Sequence, residues 1–185
     1  INSDGHIDIA GNVDFGAGID VTGAITGTTD ATINSITVGK GANSVSANTV
    51  LGVNALDAAV SGNHNTALGN SSLGANTSGG ANTAVGAHSM LATTTGSDNA
   101  ALGTSALGDN TTGANNTAIG RSALENNTTA SNNTAVGTSA LLANTTGTNN
   151  VAVGQGSLGN NTTADNNTAL GKAALFNNTG ANNTA

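Results

Sequence analysis

The chain contains no cysteine, proline, tryptophan or tyrosine, and its only aromatic residues are Phe15 and Phe176. The lack of cysteine excludes a disulfide framework and thiolate chemistry. An ordinary globular core relies on large side chains for burial, so 185 residues of this composition do not close a conventional single core. Asn, Thr, Gly, Ala and Ser dominate instead, which leaves either a disordered linker or a repeat architecture.

Basic residues and long apolar runs are equally scarce. The chain has three basic residues, Lys40, Arg121 and Lys172, and ten acidic ones. No patch can therefore neutralise phosphates, and we expect no nucleic-acid binding. No stretch approaches the roughly 20 apolar residues that span a bilayer, so we expect no membrane insertion. With these classes excluded, we expect the function to lie on a surface that repeated units form.

What the chain does have is an Asn followed four residues later by a Gly, repeated eight times at intervals of 17 residues. A linker has no physical reason to keep Leu and Gly in phase, so this register argues against disorder. Such spacing is the signature of a solenoid, in which each coil buries its apolar side only against the next. The Asn residues, which we number position one of coils one to eight, are Asn48, Asn65, Asn82, Asn99, Asn116, Asn133, Asn150 and Asn167.

Two positions of the unit are large and apolar in every coil, and we expect them to form a narrow core. Position four is Leu51, Leu68, Val85, Leu102, Ile119, Val136, Val153 and Leu170. Position nine is Leu56, Leu73, Met90, Leu107, Leu124, Leu141, Leu158 and Leu175.

Two further positions are always small. Position three is Ala except for Val50, and position eight is always Ala or Ser. Alternation along a strand puts position three on the face opposite position four. We therefore expect a neighbouring chain to pack against the small residues around a shared axis, with local crowding at the bends as the alternative.

The remaining positions divide into constant polar rows and variable ones. The run Asn126 to Thr129 recurs as residues 160–163, and stacked amides of this kind predict hydrogen-bonded ladders along the solenoid. Positions six, ten and sixteen vary and should face water. Arg121, Glu125 and Lys172 at these positions are our candidates for receptor contact, against the simpler interpretation of a solvated face.

The chain before the coils follows another period. In residues 1–30 an apolar-Asp-apolar triplet recurs every six residues around Asp8, Asp14 and Asp20, which predicts a hexapeptide-repeat β stem, wound by one chain or by three. No known calcium loop accompanies these Asp residues, so we predict no metal site. Residues 31–47 form a junction or a shortened first coil, and residues 48–185 form eight coils that we expect to continue beyond Ala185.

The Asn-Thr-Ala-Val-Gly motif, with its Ala-Leu and Asn-Thr-Thr-Gly partners, resembles the head repeats of trimeric autotransporter adhesins, whose heads are left-handed β-rolls. The run from residue 11 to 27, followed by residues 31–41 and the coils, resembles tail fibres of phages, particularly marine phages of the cyanophage kind. This resemblance implies an all-β, homotrimeric fibre with its axis lined by the small face of each roll. The 17-residue coil and the absence of a coiled-coil stalk or membrane anchor favour the phage fibre over the adhesin.

The expected function is that of a structural, extracellular fibre segment on the virion. Its implied partners are two further copies of itself, other virion tail proteins and a receptor on the bacterial surface. An adhesin head is one alternative. A solitary ice-binding β-solenoid is another, because Thr occupies position two in six of eight coils.

Catalysis has no support in the sequence. His6, His64 and His88 fall at unrelated repeat positions, and no Ser or Asp accompanies them at a recognisable spacing. We therefore expect no enzyme, no catalytic residue and no cofactor.

Overall fold

The computed structural model describes residues 31–33, 36–41, 45, 47–58 and 61–185. The stem predicted for residues 1–30, with Asp8, Asp14 and Asp20, lies outside the described residues. Within the described ranges every strand belongs to one sheet, in which strand order follows chain order, and there is no helix. The strands are β1 (Ala31–Ile33), β2 (Ile36–Gly39), β3 (Thr49–Gly52), β4 (Thr66–Leu68), β5 (Thr83–Val85), β6 (Ala100–Leu102), β7 (Thr117–Ile119), β8 (Thr134–Val136), β9 (Val151–Val153) and β10 (Thr168–Leu170).

The strands β3 to β10 confirm the predicted β-solenoid. Each coil contributes one short strand at positions two to four, and it pairs in parallel with the strand one repeat later, as Ala118 does with Ala135. The rest of the coil is turn, yet its backbone also bonds to the next coil. The amides of Leu107 and Asp109 donate to the carbonyls of Ala123 and Glu125, at 3.0 and 2.9 Å.

The segment before the coils pairs differently. Strand β2 lies antiparallel to β3, with Val38 opposite Leu51, and β1 lies antiparallel to β2. A further coil would add a parallel strand. Residues Ile36–Gly39 therefore lie outside the coil register, and they extend the sheet as a joining strand does.

The interior of the coil is narrower than the sequence suggested. The position-nine side chains are buried as predicted, and from Leu56 to Leu158 they are fully inaccessible. The prediction that position four joins them is wrong, because it is the small position-three residue that points inward. Leu124 fills the space from the opposite wall and leaves room only for a methyl group at Ala118, which is also fully buried.

The predicted role of the small residues is therefore also wrong. The Ala or Ser at position eight is buried beside position three in the same core, as Ala106 and Ala123 are. These residues are small because their own coil is narrow, and no neighbouring chain needs to approach them.

Such a tight coil requires unusual backbone at its bends. Positions seven, nine and seventeen adopt positive φ, as Ser122, Leu124 and Asn132 do at 56°, 51° and 61°. This conformation costs an L-residue about 1–2 kcal/mol, which the bonds to adjacent coils offset. Position five is always Gly because, at Gly120, φ is 128° and an added methyl would lie 2.7 Å from the backbone of Gly137.

Buried Asn side chains tie the coils together, and they confirm the predicted amide ladders. The position-one Asn116 donates to the carbonyl of Ala130 at 2.8 Å and accepts from the backbone amide of Asn133 at 3.0 Å. At position twelve, Asn127 donates to Oδ1 of Asn110 at 2.9 Å and to Ala130 at 3.0 Å. Each amide therefore closes its own coil and joins it to a neighbour.

Coil three interrupts the position-twelve ladder within coils two to eight. Thr93 stands where the neighbouring coils have Asn76 and Asn110, and its side chain is fully buried. Its hydroxyl has no hydrogen-bond partner, and it is the only buried side-chain polar atom in the described ranges without one. Coil three therefore lacks the amide bonds by which Asn at this position closes its own coil and, from coil four onward, joins it to a neighbour.

Replacing Thr93 with Asn should repair the ladder. The new amide would reach the carbonyl of Gly96 and the side chains of Asn76 and Asn110, so we expect the free energy of unfolding to rise by about 1–2 kcal/mol. The measurement is urea unfolding followed by circular dichroism. The reverse change, Asn127→Thr, is the matched control and should lower stability; a Thr93→Asn variant no more stable than the parent would contradict this account.

Candidate functional site

The main exposed feature of the solenoid is a continuous row of aliphatic side chains, which we call the aliphatic stripe. Because the strands pair in strict register, the position-four residues lie directly above one another on the outer face of the sheet. Leu102 is 51% exposed, and Val85, Val136 and Val153 are half-buried. The stripe consists of Val38, Leu51, Leu68, Val85, Leu102, Ile119, Val136, Val153 and Leu170, and at the usual strand spacing it runs for about 38 Å.

A second row lies beside the stripe on the same face. It is formed by position two, two residues earlier in each coil strand, and Thr predominates there. The hydroxyls of these Thr residues have no hydrogen-bond partner among the described residues. Thr at position thirteen behaves differently, since Thr111 donates to the carbonyl of Thr128 at 2.9 Å. The row comprises Thr49, Thr66, Thr83, Ala100, Thr117, Thr134, Val151 and Thr168.

This face is unusual for a parallel sheet left in water. Parallel sheets are normally covered on both sides, and long contiguous apolar patches are typical of interaction surfaces. The inner face is covered by the rest of each coil, including Leu124. The outer face presents an apolar row next to a hydroxyl row, with a regular spacing that any partner must match.

The predicted contact residues are not gathered into one site. Arg121 and Lys172 are exposed at position six, just beyond the Gly bend, and they lie three coils apart, or about 14 Å. Glu125 is half-buried at position ten of the coil that carries Arg121. These three residues alone do not form a binding site. The sequence analysis did not predict the aliphatic stripe, because it placed the position-four residues in the core.

Other kinds of site find no support in the described part of the chain. His64 and His88 are exposed at positions seventeen and seven, and His6 lies outside the described residues. No group of three potential metal ligands occurs among the residues that the structure describes. In the same ranges, no helix is long and apolar enough to cross a membrane.

No known family model matches the sequence, and no curated protein or solved structure matches the chain either. Inference about function therefore rests on the geometry of the surfaces. Of these, the aliphatic stripe and its Thr row form the most extensive.

Substitutions at adjacent strand positions test which side of the strand is the core. Ala118→Val adds two methyl groups where the interior is full, so we expect a loss of about 1–3 kcal/mol in unfolding free energy. Ile119→Val removes one methylene from the exposed stripe and should change stability by less than that. Thermal unfolding of both variants measures the difference in stability. A larger loss for Ile119→Val would mean that position four, and not position three, faces the core.

Proposed function

We propose that this chain is a segment of a homotrimeric fibre, most simply the shaft of a phage tail fibre, which holds a receptor-binding end against a bacterial surface. The observation that supports this proposal is the aliphatic stripe along a regular solenoid. Such a surface needs a partner with the same long, straight and periodic shape, and another copy of the chain has that shape.

The periodicity of the stripe favours self-association. Every copy carries aliphatic side chains at the same spacing of about 4.8 Å, so copies placed side by side in register match row against row. Soluble homo-oligomers close around a symmetry axis, and a rod with one apolar side closes with a small number of copies. The resemblance to trimeric adhesin heads and fibres makes that number three. In this arrangement the aliphatic row lines the axis, and the Ala row stays inside each coil.

The mechanical properties of the coil suit a shaft. Hydrogen bonds between coils run around the whole circumference, and the Asn ladders add to them along the length. Trimerisation would bury the aliphatic stripe and stiffen the rod further. A rigid spacer that presents several weak contacts together gains avidity at a cell surface. The fibre would join other virion tail proteins at one end and a bacterial receptor at the other, outside the cell; an adhesin head would use the same geometry.

Sedimentation equilibrium on residues 1–185 tests the proposed assembly. We expect a species of three times the 17.5 kDa chain mass. The double variant Leu102→Asp with Ile119→Asp places charges in the stripe, which the trimer would bury. Burying an unpaired ion costs several kcal/mol, so this variant should dissociate the trimer. The control Thr112→Asp with Thr129→Asp adds the same number of charges at exposed turn positions outside the strand face and should leave the trimer intact. A folded monomer for the parent chain would overturn the proposal.

The Thr row supports a second candidate of another class. A flat face that alternates free hydroxyls with aliphatic groups at regular spacing could order water and bind ice. The Ala residues between the Thr row and the aliphatic stripe point inward, so they do not interrupt this face. This function requires the face to be open, so it competes with the trimer for the same surface.

Thermal hysteresis separates the second candidate from the first. If ice is the partner, the chain lowers the freezing point below the melting point, and Thr117→Tyr abolishes most of this gap because the large ring breaks the flat face. Thr112→Tyr, at an exposed position outside the face, is the matched control and should retain the activity. The absence of hysteresis in the parent chain removes this candidate.

A further inference from the structure

The amide ladder at position twelve does not run the whole length of the solenoid. In coils four to eight each Asn donates to Oδ1 of the Asn one coil earlier, beginning with Asn127 to Asn110 at 2.9 Å and ending with Asn178 to Asn161 at 3.2 Å. Each interface between two of these five coils therefore carries a side-chain amide bond in addition to its backbone bonds.

The interfaces before Asn110 lack this bond. In coil two, Asn76 uses its side chain within its own turn, where it donates to the carbonyl of Gly79 at 3.0 Å and accepts from the Gly79 amide at 3.1 Å. In coil three, the buried hydroxyl of Thr93 has no partner among the described residues. Coil one has Ala59 at this position, which carries no amide. The solenoid thus divides into coils one to three without the ladder and coils four to eight with it.

The other bonds between coils do not compensate for this difference. The position-one ladder continues across the division, where the amide of Asn99 donates to Oδ1 of Asn82 at 3.1 Å. The backbone amide at position nine donates to the next coil on both sides of the division. Coils two and three add only long bonds from the amides of Gly79 and Gly96, at 3.3 and 3.4 Å, beyond the usual range for N–H···O.

Missing bonds at consecutive interfaces decide where a stack of coils opens. The stability of a repeat array is approximately a sum over its coils and the interfaces between neighbours. A net hydrogen bond changes the equilibrium between joined and separated coils by about two- to tenfold, and the unpartnered hydroxyl of Thr93 weakens the closed state further. Because three interfaces in a row lack the bond, these factors multiply over coils one to three.

Fraying from the ends would favour the opposite result. Coil one is covered, since Gly41 is buried against Leu56 and Val45 packs against the same core. At the other end of the solenoid Leu175 is only partly buried, and Leu170 is 72% exposed. End effects alone therefore predict that the coils near Leu175 open first.

We propose that coils one to three, residues 48–98, are a yielding segment, which unfolds reversibly as a unit while coils four to eight stay closed. Unwinding one coil of 17 residues lengthens the chain from a rise of about 4.8 Å to about 58 Å. The yielding segment lets the chain extend under tension while the part that carries the ladder remains folded. This property does not depend on the proposed trimer, because the aliphatic stripe crosses both groups of coils.

Native-state hydrogen exchange on the full chain, resolved to single amides by mass spectrometry, tests the proposal. The position-nine amides are a matched set because each donates to the next coil. The sharpest pair is Leu73 and Leu158, in coils two and seven, which both lie one coil inside an end of the solenoid. After correction for intrinsic rates, we expect at least tenfold lower protection at Leu73, with Leu56 and Met90 similar to it. Equal protection at Leu73 and Leu158, or lower protection at Leu158, would overturn the proposal.

Extending the ladder should remove the yielding segment. Thr93→Asn supplies the missing amide between coils two and four, so we expect protection at Leu73 to rise at least fivefold while Leu158 is unchanged. Thr95→Asn, at an exposed position of the same coil, is the matched control and should change neither value. Unaltered protection at Leu73 in the Thr93→Asn chain would contradict the proposal.

The reverse change should move the boundary. Asn127→Thr breaks the ladder on both sides of coil five, and Thr93 shows that a coil accepts Thr at this position. We expect at least fivefold lower protection at Leu107 in coil four and no loss at Leu141 in coil six. Equal losses at both amides would mean that all the coils open together, which contradicts the proposal.

Sedimentation of the same samples keeps this proposal apart from that of the fibre. A trimer with uniform protection along the solenoid refutes the yielding segment alone. A monomer with a step in protection between coils three and four refutes the fibre alone.

Discussion

The buried amide of the position-one Asn is the interaction on which the rest of the structure depends. In coil five, Asn116 closes the turn through Ala130 and receives the backbone amide of Asn133 from the next coil. An unpaired amide in this interior would cost about 1–3 kcal/mol, so the side chain requires both the closing turn and a following coil. The amide thus converts one 17-residue repeat into a unit that is stable only in a stack.

The same constraint explains the small core. The coil that the Asn closes is so narrow that one large side chain, such as Leu124, fills it from wall to wall. The residue opposite that side chain is Ala in seven of the eight coils, and only the first coil has the larger Val50. The positive φ angles at the bends and the bare Gly at position five follow from turning the backbone in so few residues. Large aliphatic residues are therefore left over on the outside, where they are available to another molecule.

Part of this arrangement could be predicted from the sequence because all eight coils pack in the same way. A residue that is constant in every coil therefore indicates a position that the packing restricts. Constant Leu at position nine correctly indicated burial, and recurrent Asn indicated ladders. Strand alternation also separated positions three and four correctly, but it does not say which face is inside. The size of the Val and Leu side chains at position four suggested that they formed the core. The coil is too narrow for them, so position three faces inward instead, and no local sequence pattern reveals the width of the coil. The antiparallel pairing of Val38 with Leu51 likewise depends on a chain reversal that the repeat does not encode.

Oxidative cross-linking tests the central claim, that the aliphatic stripe faces other copies of the chain. Because the chain has no cysteine, Ile119→Cys introduces its only thiol, and Thr129→Cys introduces one at an exposed position away from the stripe. If three stripes meet at an axis, mild oxidation links chains rapidly through Cys at position 119 and leaves the position-129 variant monomeric on a denaturing gel. Equal rates for the two variants, or no cross-link at position 119, would contradict the account.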